Sequence, residues 1–66
     1  MRLVVCGSEQ TVEAGITLGE AIRRFTPYGD EAVIAKYNGA ILACERYGEP
    51  AREGDVIDIY PLIIGG

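Results

Sequence analysis

The chain has 66 residues, of which 48% are hydrophobic and 24% charged, and its formal net charge is −4. This balance favours a small folded domain over a disordered chain, which would combine low hydrophobicity with high net charge. The acidic sign argues against a general nucleic-acid-binding protein, because such a protein must neutralise phosphates. No apolar run approaches the length of a membrane-spanning helix, so a membrane is not predicted as a partner. Because the net charge is acidic, a nucleic acid is not predicted as a partner either.

The residue inventory narrows the possible chemistry. The chain contains no histidine, which removes an imidazole base, a Ser–His or Cys–His couple and the commonest metal ligand. Its two cysteines, Cys6 and Cys44, are too few for a cysteine-only zinc site, and no metal site or tightly bound cofactor is predicted. The sequence opens without a recognisable signal peptide, so we expect two free thiols in a reducing cytoplasm rather than a disulfide. Cys6 is predicted to be a small buried residue of a strand.

The first elements predicted are a β-hairpin and a helix. Residues 2–6 form a short β-branched run that ends at a Gly-Ser turn, and residues 9–13 form a weaker returning strand. Thr17 and Glu20 have the spacing of a capping box, in which the two residues satisfy free backbone donors at a helix start. A helix over 18–25 follows, because apolar residues recur there at i, i+3, i+4 and i+7. The residues of this apolar stripe are Leu18, Ala21, Ile22 and Phe25.

The second half of the chain is predicted to contain strands, turns and one long loop. An apolar strand over 32–37 ends at Asn38 and Gly39, a dipeptide that favours the positive φ angles of a two-residue hairpin. A short strand over 40–43 then returns. The polar segment 45–53, which contains a glycine and a proline, is predicted to be a loop over the surface.

The last predicted strand is 56–60. Successive side chains of a strand point to opposite faces, so Ile57 and Ile59 lie on one face and Val56, Asp58 and Tyr60 on the other. One helix and about five strands predict an α+β domain of two layers, in which the helix packs on one face of the sheet. The periodicity leaves open whether the last strand lies parallel to the first, an arrangement that would close a mixed sheet.

The carboxyl end of the chain is apolar and then ends in a glycine pair. Pro61 cannot donate a ladder hydrogen bond, so we expect the last strand to leave the sheet there. The residues that follow are Leu62, Ile63, Ile64, Gly65 and Gly66. An apolar chain end is unfavourable in water unless something binds it, and two glycines place the free carboxylate on a thin thread that fits a narrow active site. We therefore predict a folded domain over 1–60 and a flexible tail over 61–66; the alternative is that the apolar residues complete the core and the glycines are incidental.

The whole chain resembles the ubiquitin-like sulfur carriers of the β-grasp superfamily, which include the thiamine-pathway carrier (ThiS) and the small subunit of molybdopterin synthase (MoaD). The resemblance lies in length and element order, and in Asn38-Gly39 after an apolar strand, Gly54-Asp55 before the strand 56–59, and the ending 61–66. The short chain suits the thiamine-pathway carrier best. The resemblance implies a β-grasp fold, with one main helix on a mixed sheet of four to five strands, and a carrier rather than an enzyme.

The resemblance also implies which residue is modified and by which partners. An enzyme similar to ubiquitin-activating enzymes would use ATP to adenylate the carboxylate of Gly66, and a donor such as a cysteine desulfurase would supply sulfur for a thiocarboxylate. The acceptor would be thiazole synthase or the large subunit of molybdopterin synthase. Gly65 would be required as a residue without a side chain. The partner-binding residues of the tail would be Leu62, Ile63 and Ile64, with Tyr60 and Pro61 fixing its exit from the domain.

Other functions stay open on the sequence. They are the molybdopterin synthase subunit, a tRNA-thiolation carrier, a ubiquitin-like modifier joined to lysines, and a non-catalytic protein-binding module whose tail merely docks. Nine charged residues that could steer or bind a partner are predicted to be solvated rather than functional. They are Lys36, Arg23, Arg24, Arg46, Arg52, Glu45, Glu49, Glu53 and Asp55.

Overall fold

A computed structural model describes residues 1–26 and 33–62. Its elements in chain order are the strands β1 (Arg2–Val5) and β2 (Ser8–Thr11), the helix α1 (Leu18–Phe25), the strands β3 (Val33–Tyr37) and β4 (Ala40–Ile41), a short 3-10 helix (Cys44–Arg46), and the strand β5 (Val56–Pro61). The strands form one sheet in the order β2-β1-β5-β3-β4. The central strand β5 runs parallel to β1 and antiparallel to β3. The predicted α+β fold is therefore confirmed, and its sheet is mixed. Residue 32, predicted as the start of β3, lies outside the described residues.

A tight hairpin lies at each edge of the sheet, and its turn sets the register of the two strands and so which side chains face the core. The Asn38-Gly39 turn has φ angles of 50° and 91°, as the sequence predicts for a two-residue loop of the primed type. The turn between β1 and β2 has the same form, with Cys6 at φ 50° and Gly7 at φ 80°. Because β1 ends at Val5, the prediction that Cys6 is a buried strand residue is wrong, and this cysteine is exposed in the turn.

The helix begins with the predicted capping box. The hydroxyl of Thr17 accepts a hydrogen bond from the backbone N–H of Glu20 at 3.1 Å, and the Glu20 carboxylate accepts one from the backbone N–H of Thr17 at 3.3 Å. An eight-residue helix has little stability alone, so its apolar stripe must pack on the sheet. Three residues of that stripe are buried and the fourth packs against them: Leu18, Ala21, Ile22 and Phe25.

Segment 45–53 is an exposed loop for most of its length, as its polar sequence predicts, but Tyr47 is half-buried and Ala51 is buried. After the 3-10 helix it crosses the start of α1, where the backbone N–H groups of Leu18 and Gly19 donate to the carbonyl oxygens of Glu49 and Tyr47, each at 2.8 Å. Those N–H groups have no partner within the helix, and this segment satisfies them. A Cβ at Gly19 would lie 3.0 Å from the Cβ of Tyr47, so glycine permits this close approach.

The core lies between α1 and one face of the sheet. Its buried side chains are Leu3, Val5, Val12, Ile16, Leu18, Ala21, Ile22, Ala35, Leu42, Ala51, Ile57 and Ile59. Ile57 and Ile59 share the inward face of β5, as predicted. β4 is shorter than predicted, but Leu42 still enters the core, and its N–H donates to the carbonyl of Ala35 at 2.9 Å. No helix in the described part of the chain is long and apolar enough to span a membrane.

Candidate functional site

The carboxyl end of the described chain is the end of the central strand. β5 pairs with β1 at Val56 and Ile57 and with β3 from Ile57 to Pro61, where Tyr60 lies opposite Ile34 and Pro61 opposite Val33. Pro61 is the last residue of the strand. Leu62 follows it and is 43% exposed. The pairing with β3 therefore holds the point from which the tail departs.

The remaining predicted tail residues lie outside the described residues. These are Ile63, Ile64, Gly65 and Gly66. Their predicted roles, and the predicted boundary between a domain over 1–60 and a tail over 61–66, stay predictions.

The face of the sheet that points away from α1, here called the outer face, is rich in apolar side chains. Throughout residues 1–26 and 33–62, the exposed large hydrophobic side chains are Ile34, Ile41, Val56, Tyr60 and Leu62. The first four lie on the outer face, and Leu62 follows directly from it. Exposed apolar side chains gathered on one face make that face a candidate interaction site. The apolar outer face thus continues into the start of the tail.

A cation lies on this face beside the last aromatic residue of β5. The Nζ of Lys36 lies 5.8 Å from the ring centroid of Tyr60, within the range of a cation–π contact. Lys36 is exposed, as predicted, but its side chain reaches toward Tyr60 rather than standing alone in solvent. Tyr60 therefore has an apolar neighbour in Ile34 and a cation near its ring.

The amino end of β5 is held by a buried carboxylate that the sequence places in a solvated loop, and that prediction is wrong. Asp55 is 7% exposed and accepts hydrogen bonds from the Tyr37 hydroxyl at 2.7 Å and the Arg52 backbone N–H at 2.8 Å. The side-chain amide N–H of Asn38 donates to the Asp55 carboxylate at 3.4 Å. The side-chain amide oxygen of Asn38 accepts a hydrogen bond from the backbone N–H of Val56 at 2.8 Å. The hydrogen bond to Asp55 raises the pKa of Tyr37 above its ordinary value, because ionisation would place two anions side by side.

Most other charges form exposed ion pairs. The closest joins Arg24 to Glu13 through two hydrogen bonds of 2.7 and 2.8 Å, which lower the pKa of Glu13 to about 2. The others are Arg2–Glu9 at 3.1 Å, Arg2–Glu53 at 3.5 Å and Arg46–Glu49 at 3.1 Å. Pairs this exposed contribute little stability, since water and salt screen them. Residues 1–26 and 33–62 contain no group of three or more His, Cys, Asp or Glu side chains able to hold a metal ion.

Both cysteines are free thiols. The thiol of Cys6 lies 3.9 Å from the carbonyl oxygen of Ile59, and its backbone N–H donates to the carbonyl of Ile57 at 2.9 Å. These contacts place Cys6 beside the carboxyl half of β5. Its exposure follows from the position of the turn.

We expect Cys6 to react readily with a thiol reagent in the folded protein, because its side chain is exposed. The measurement is the rate of reaction with a chromogenic disulfide at neutral pH, using Cys44→Ser to isolate Cys6 and Cys6→Ser to isolate Cys44. Each rate is compared with that of the same variant in concentrated guanidinium chloride. Strong protection of Cys6 in the native state would contradict the exposed position.

Of the apolar residues of the outer face, only Tyr60 was predicted as a site residue, although the sequence carried a signal for Ile34 and Val56 as well. Ile34 lies in β3, and Val56 lies in β5 with apolar neighbours on both faces of the strand. A strand apolar on both faces is normally covered on both sides. One helix covers only one face of this sheet, so the second apolar face indicates an interaction surface.

No family model matches the chain, and no curated protein matches its sequence. The structure is similar to the crystal structure of a thiamine biosynthesis protein (ThiS) from Geobacter metallireducens, with a TM-score of 0.79, 25% identity and coverage of 100% of both chains. The resemblance to the ThiS-like, ubiquitin-like sulfur carriers that the sequence indicates is thereby confirmed, and the fold of this chain is that of a ThiS β-grasp domain.

Proposed function

We propose that this protein is a sulfur carrier of thiamine biosynthesis, whose terminal carboxylate, that of Gly66, carries the sulfur as a thiocarboxylate. The observation that carries the proposal is the end-to-end structural similarity to a thiamine biosynthesis protein. The glycine pair that ends the sequence supports it, because that pair supplies an unhindered carboxylate. In this role the chain is a substrate of other enzymes and does not itself catalyse a reaction.

The proposed chemistry begins with activation of the carboxylate. A carboxylate oxygen of Gly66 attacks the α-phosphorus of ATP, and pyrophosphate leaves, so that an acyl-adenylate forms. Sulfide then attacks the carbonyl carbon, and AMP leaves with the original oxygen. The net change is one oxygen replaced by one sulfur, without oxidation or reduction. If the sulfur comes as a persulfide, for example from a cysteine desulfurase, a thiol must supply two electrons to release it.

The fold suits a carrier because it separates a rigid part from a reactive end. β5 lies in the middle of the sheet, and its last residue, Pro61, is paired with Val33 of β3, which gives it a defined position. The tail that follows is short, and its final glycines have no side chains to obstruct a narrow active site. Binding on the folded domain can then hold the carboxylate near the reacting group of a partner.

The proposed partners are an adenylating enzyme that supplies the ATP site, a sulfur donor, and the thiazole synthase that accepts the sulfur. The exposed apolar residues nearest the tail, Tyr60 and Leu62, are the described residues best placed to meet these enzymes. The ATP belongs to the activating partner.

Intact-mass spectrometry tests the proposal directly. The purified chain is incubated with the adenylating enzyme of the same organism, MgATP and sulfide. We expect a mass increase equal to the difference between sulfur and oxygen, and no increase for a variant that lacks Gly66. A wild-type chain that is adenylated but never gains this mass would contradict the carrier role. Products linked to lysine side chains through Gly66 would indicate a ubiquitin-like modifier instead.

A further inference from the structure

A cleft of about 480 Å³ opens beside the 3-10 helix. It is lined by Tyr37, Arg46, Glu49, Pro50 and Arg52. Tyr37 is the last residue of β3 and pairs with Ile57, whereas the first residue of β3 pairs with Pro61. The five residues of β3 span about 13 Å, so the cleft and the point from which the tail departs lie at opposite ends of this strand. A cleft of this size accommodates a small organic molecule.

Arg46 and Glu49 form one wall of the cleft and orient each other. The Nε and Nη2 atoms of Arg46 each donate to a carboxylate oxygen of Glu49 at 3.1 Å. The guanidinium carbon of Arg46 lies 5.5 Å from the ring centroid of Tyr37, within the range of a cation–π contact. Both oxygens of Glu49 thus accept from a cation, and this hydrogen bonding holds the pKa of Glu49 below its ordinary value. A wall already ordered in this way lowers the cost of binding a ligand.

The second cation of the cleft, Arg52, has no such partner. Its backbone N–H donates to the buried carboxylate of Asp55 at 2.8 Å, but within residues 1–26 and 33–62 its guanidinium makes no hydrogen bond or ion pair. Asp55 also accepts from the Tyr37 hydroxyl at 2.7 Å, and Glu49 is occupied by Arg46. The carboxylates next to the cleft are therefore satisfied by other donors, and the N–H groups of the Arg52 guanidinium remain available to a ligand.

We propose that this cleft binds a small organic oxoanion, a phosphate ester or a carboxylate, through Arg52. A guanidinium presents parallel N–H groups that match two oxygens of such an anion. The half-buried ring of Tyr37 and the ring of Pro50 offer apolar surface to the rest of the ligand. The anion supplies Arg52 with the counter-ion that the described part of the chain does not.

The charge of the chain requires that such a ligand be held by local contacts. The formal net charge is −4, so the protein repels anions at long range. The lining side chains of the cleft carry one net positive charge, opposite in sign to the chain as a whole. The inference is independent of the carrier role, because the cleft contains no residue of the tail and its ligand can be tested without any other protein.

NMR titration of the isotope-labelled chain tests the proposal with two probes, phenyl phosphate and benzoate, in a phosphate-free buffer of low ionic strength. We expect at least one probe to shift the backbone amide signals of Tyr37, Arg46 and Arg52 along a saturating curve, with a Kd of about 1 mM. Arg52→Ala should raise that Kd by at least ~10-fold. Arg52→Lys should raise it less, since lysine keeps the charge but not the paired donors. The tighter of the two probes identifies the oxoanion that the cleft prefers.

The matched control is Arg23→Ala, which removes an exposed arginine of α1 that likewise has no ion pair with a described residue, and its Kd should equal that of the wild type. Arg52→Ala keeps the backbone hydrogen bond to Asp55, and amide signals unchanged outside the cleft would show that its fold is intact. No saturable shift with either probe would overturn the proposal, as would equal affinity of wild type and Arg52→Ala or an equal effect of Arg23→Ala. Inorganic phosphate that binds as tightly as phenyl phosphate would overturn the assignment of an organic ligand.

Discussion

Replacing Gly65 by tryptophan is expected to abolish sulfur loading at Gly66 without unfolding the domain. In the proposed carrier role the penultimate residue follows the terminal carboxylate into the active site of the adenylating enzyme, where an indole would obstruct a narrow channel. The described core draws its side chains from residues 3–59, so we expect the free energy of unfolding to stay within about 0.5 kcal/mol of the wild type. The measurements are intact mass after incubation with the adenylating enzyme, MgATP and sulfide, and chemical denaturation.

The chain offers a matched control for this substitution. Gly48 lies in a turn, and a Cβ built there meets no atom within 4 Å. Gly48→Trp adds the same indole away from the tail, and it should load sulfur as the wild type does. If Gly65→Trp also gains the full mass at the wild-type rate, the glycine pair is not the element that enters the enzyme.

Replacing Asp55 by alanine is expected to lower the free energy of unfolding by roughly 3 kcal/mol. The substitution removes the acceptor of the Tyr37 hydroxyl and of the Arg52 backbone N–H, both short hydrogen bonds to a buried carboxylate. It also frees the amide of Asn38, which positions the first residue of β5. Denaturant unfolding followed by circular dichroism measures the effect.

Two further variants isolate the cause of that loss. Tyr37→Phe removes only one of the hydrogen bonds to Asp55 and should cost about 1 kcal/mol. Glu45→Ala removes an exposed carboxylate and should change stability by less than about 0.5 kcal/mol. A loss for Asp55→Ala as small as that for Glu45→Ala would show that the carboxylate does not hold the strand.

The pH dependence of stability gives an independent check on the same hydrogen bond. The pKa of Tyr37 is raised above its ordinary value of 10.0, chiefly because its hydroxyl donates to Asp55. The stability that this proton provides is fully present below pH 10 and is lost as the pH rises through the raised pKa. We expect Asp55→Ala to lose less stability than the wild type over that alkaline range. An equal loss in both proteins would mean that Tyr37 does not titrate against Asp55.

Local chemistry made several elements predictable from the sequence. The capping box of Thr17 and Glu20 and the Asn38-Gly39 turn depend on residues within three positions of each other, and both are present as predicted. The inward position of Ile57 and Ile59 follows from the period of a strand. The resemblance to sulfur carriers was equally visible, because it rests on element order and on the ending of the chain.

Predictions failed where a residue's environment comes from distant parts of the chain. Cys6 was assigned to a strand because its neighbours are apolar, but the register of the hairpin places it in the turn. Asp55 was predicted to be a solvated loop residue because its sequence neighbours are polar. In the structure it accepts a hydrogen bond from the hydroxyl of Tyr37, which is far away in the sequence. Segment 45–53 is mostly exposed, as predicted, but its backbone carbonyl groups accept hydrogen bonds from the first turn of α1, a contact that no local pattern reveals.

The sequence by itself thus determined the elements, the fold class and the glycine pair that indicates a carrier, since these depend on short-range periodicity and residue type. Only the tertiary structure decided that β5 is central and parallel to β1, and that exposed apolar side chains of the outer face lie next to Leu62 at the end of the described chain. The physical reason is that burial and pairing are properties of neighbours in space. A strand with apolar residues on both faces does not reveal which face the single helix covers until the chain has folded.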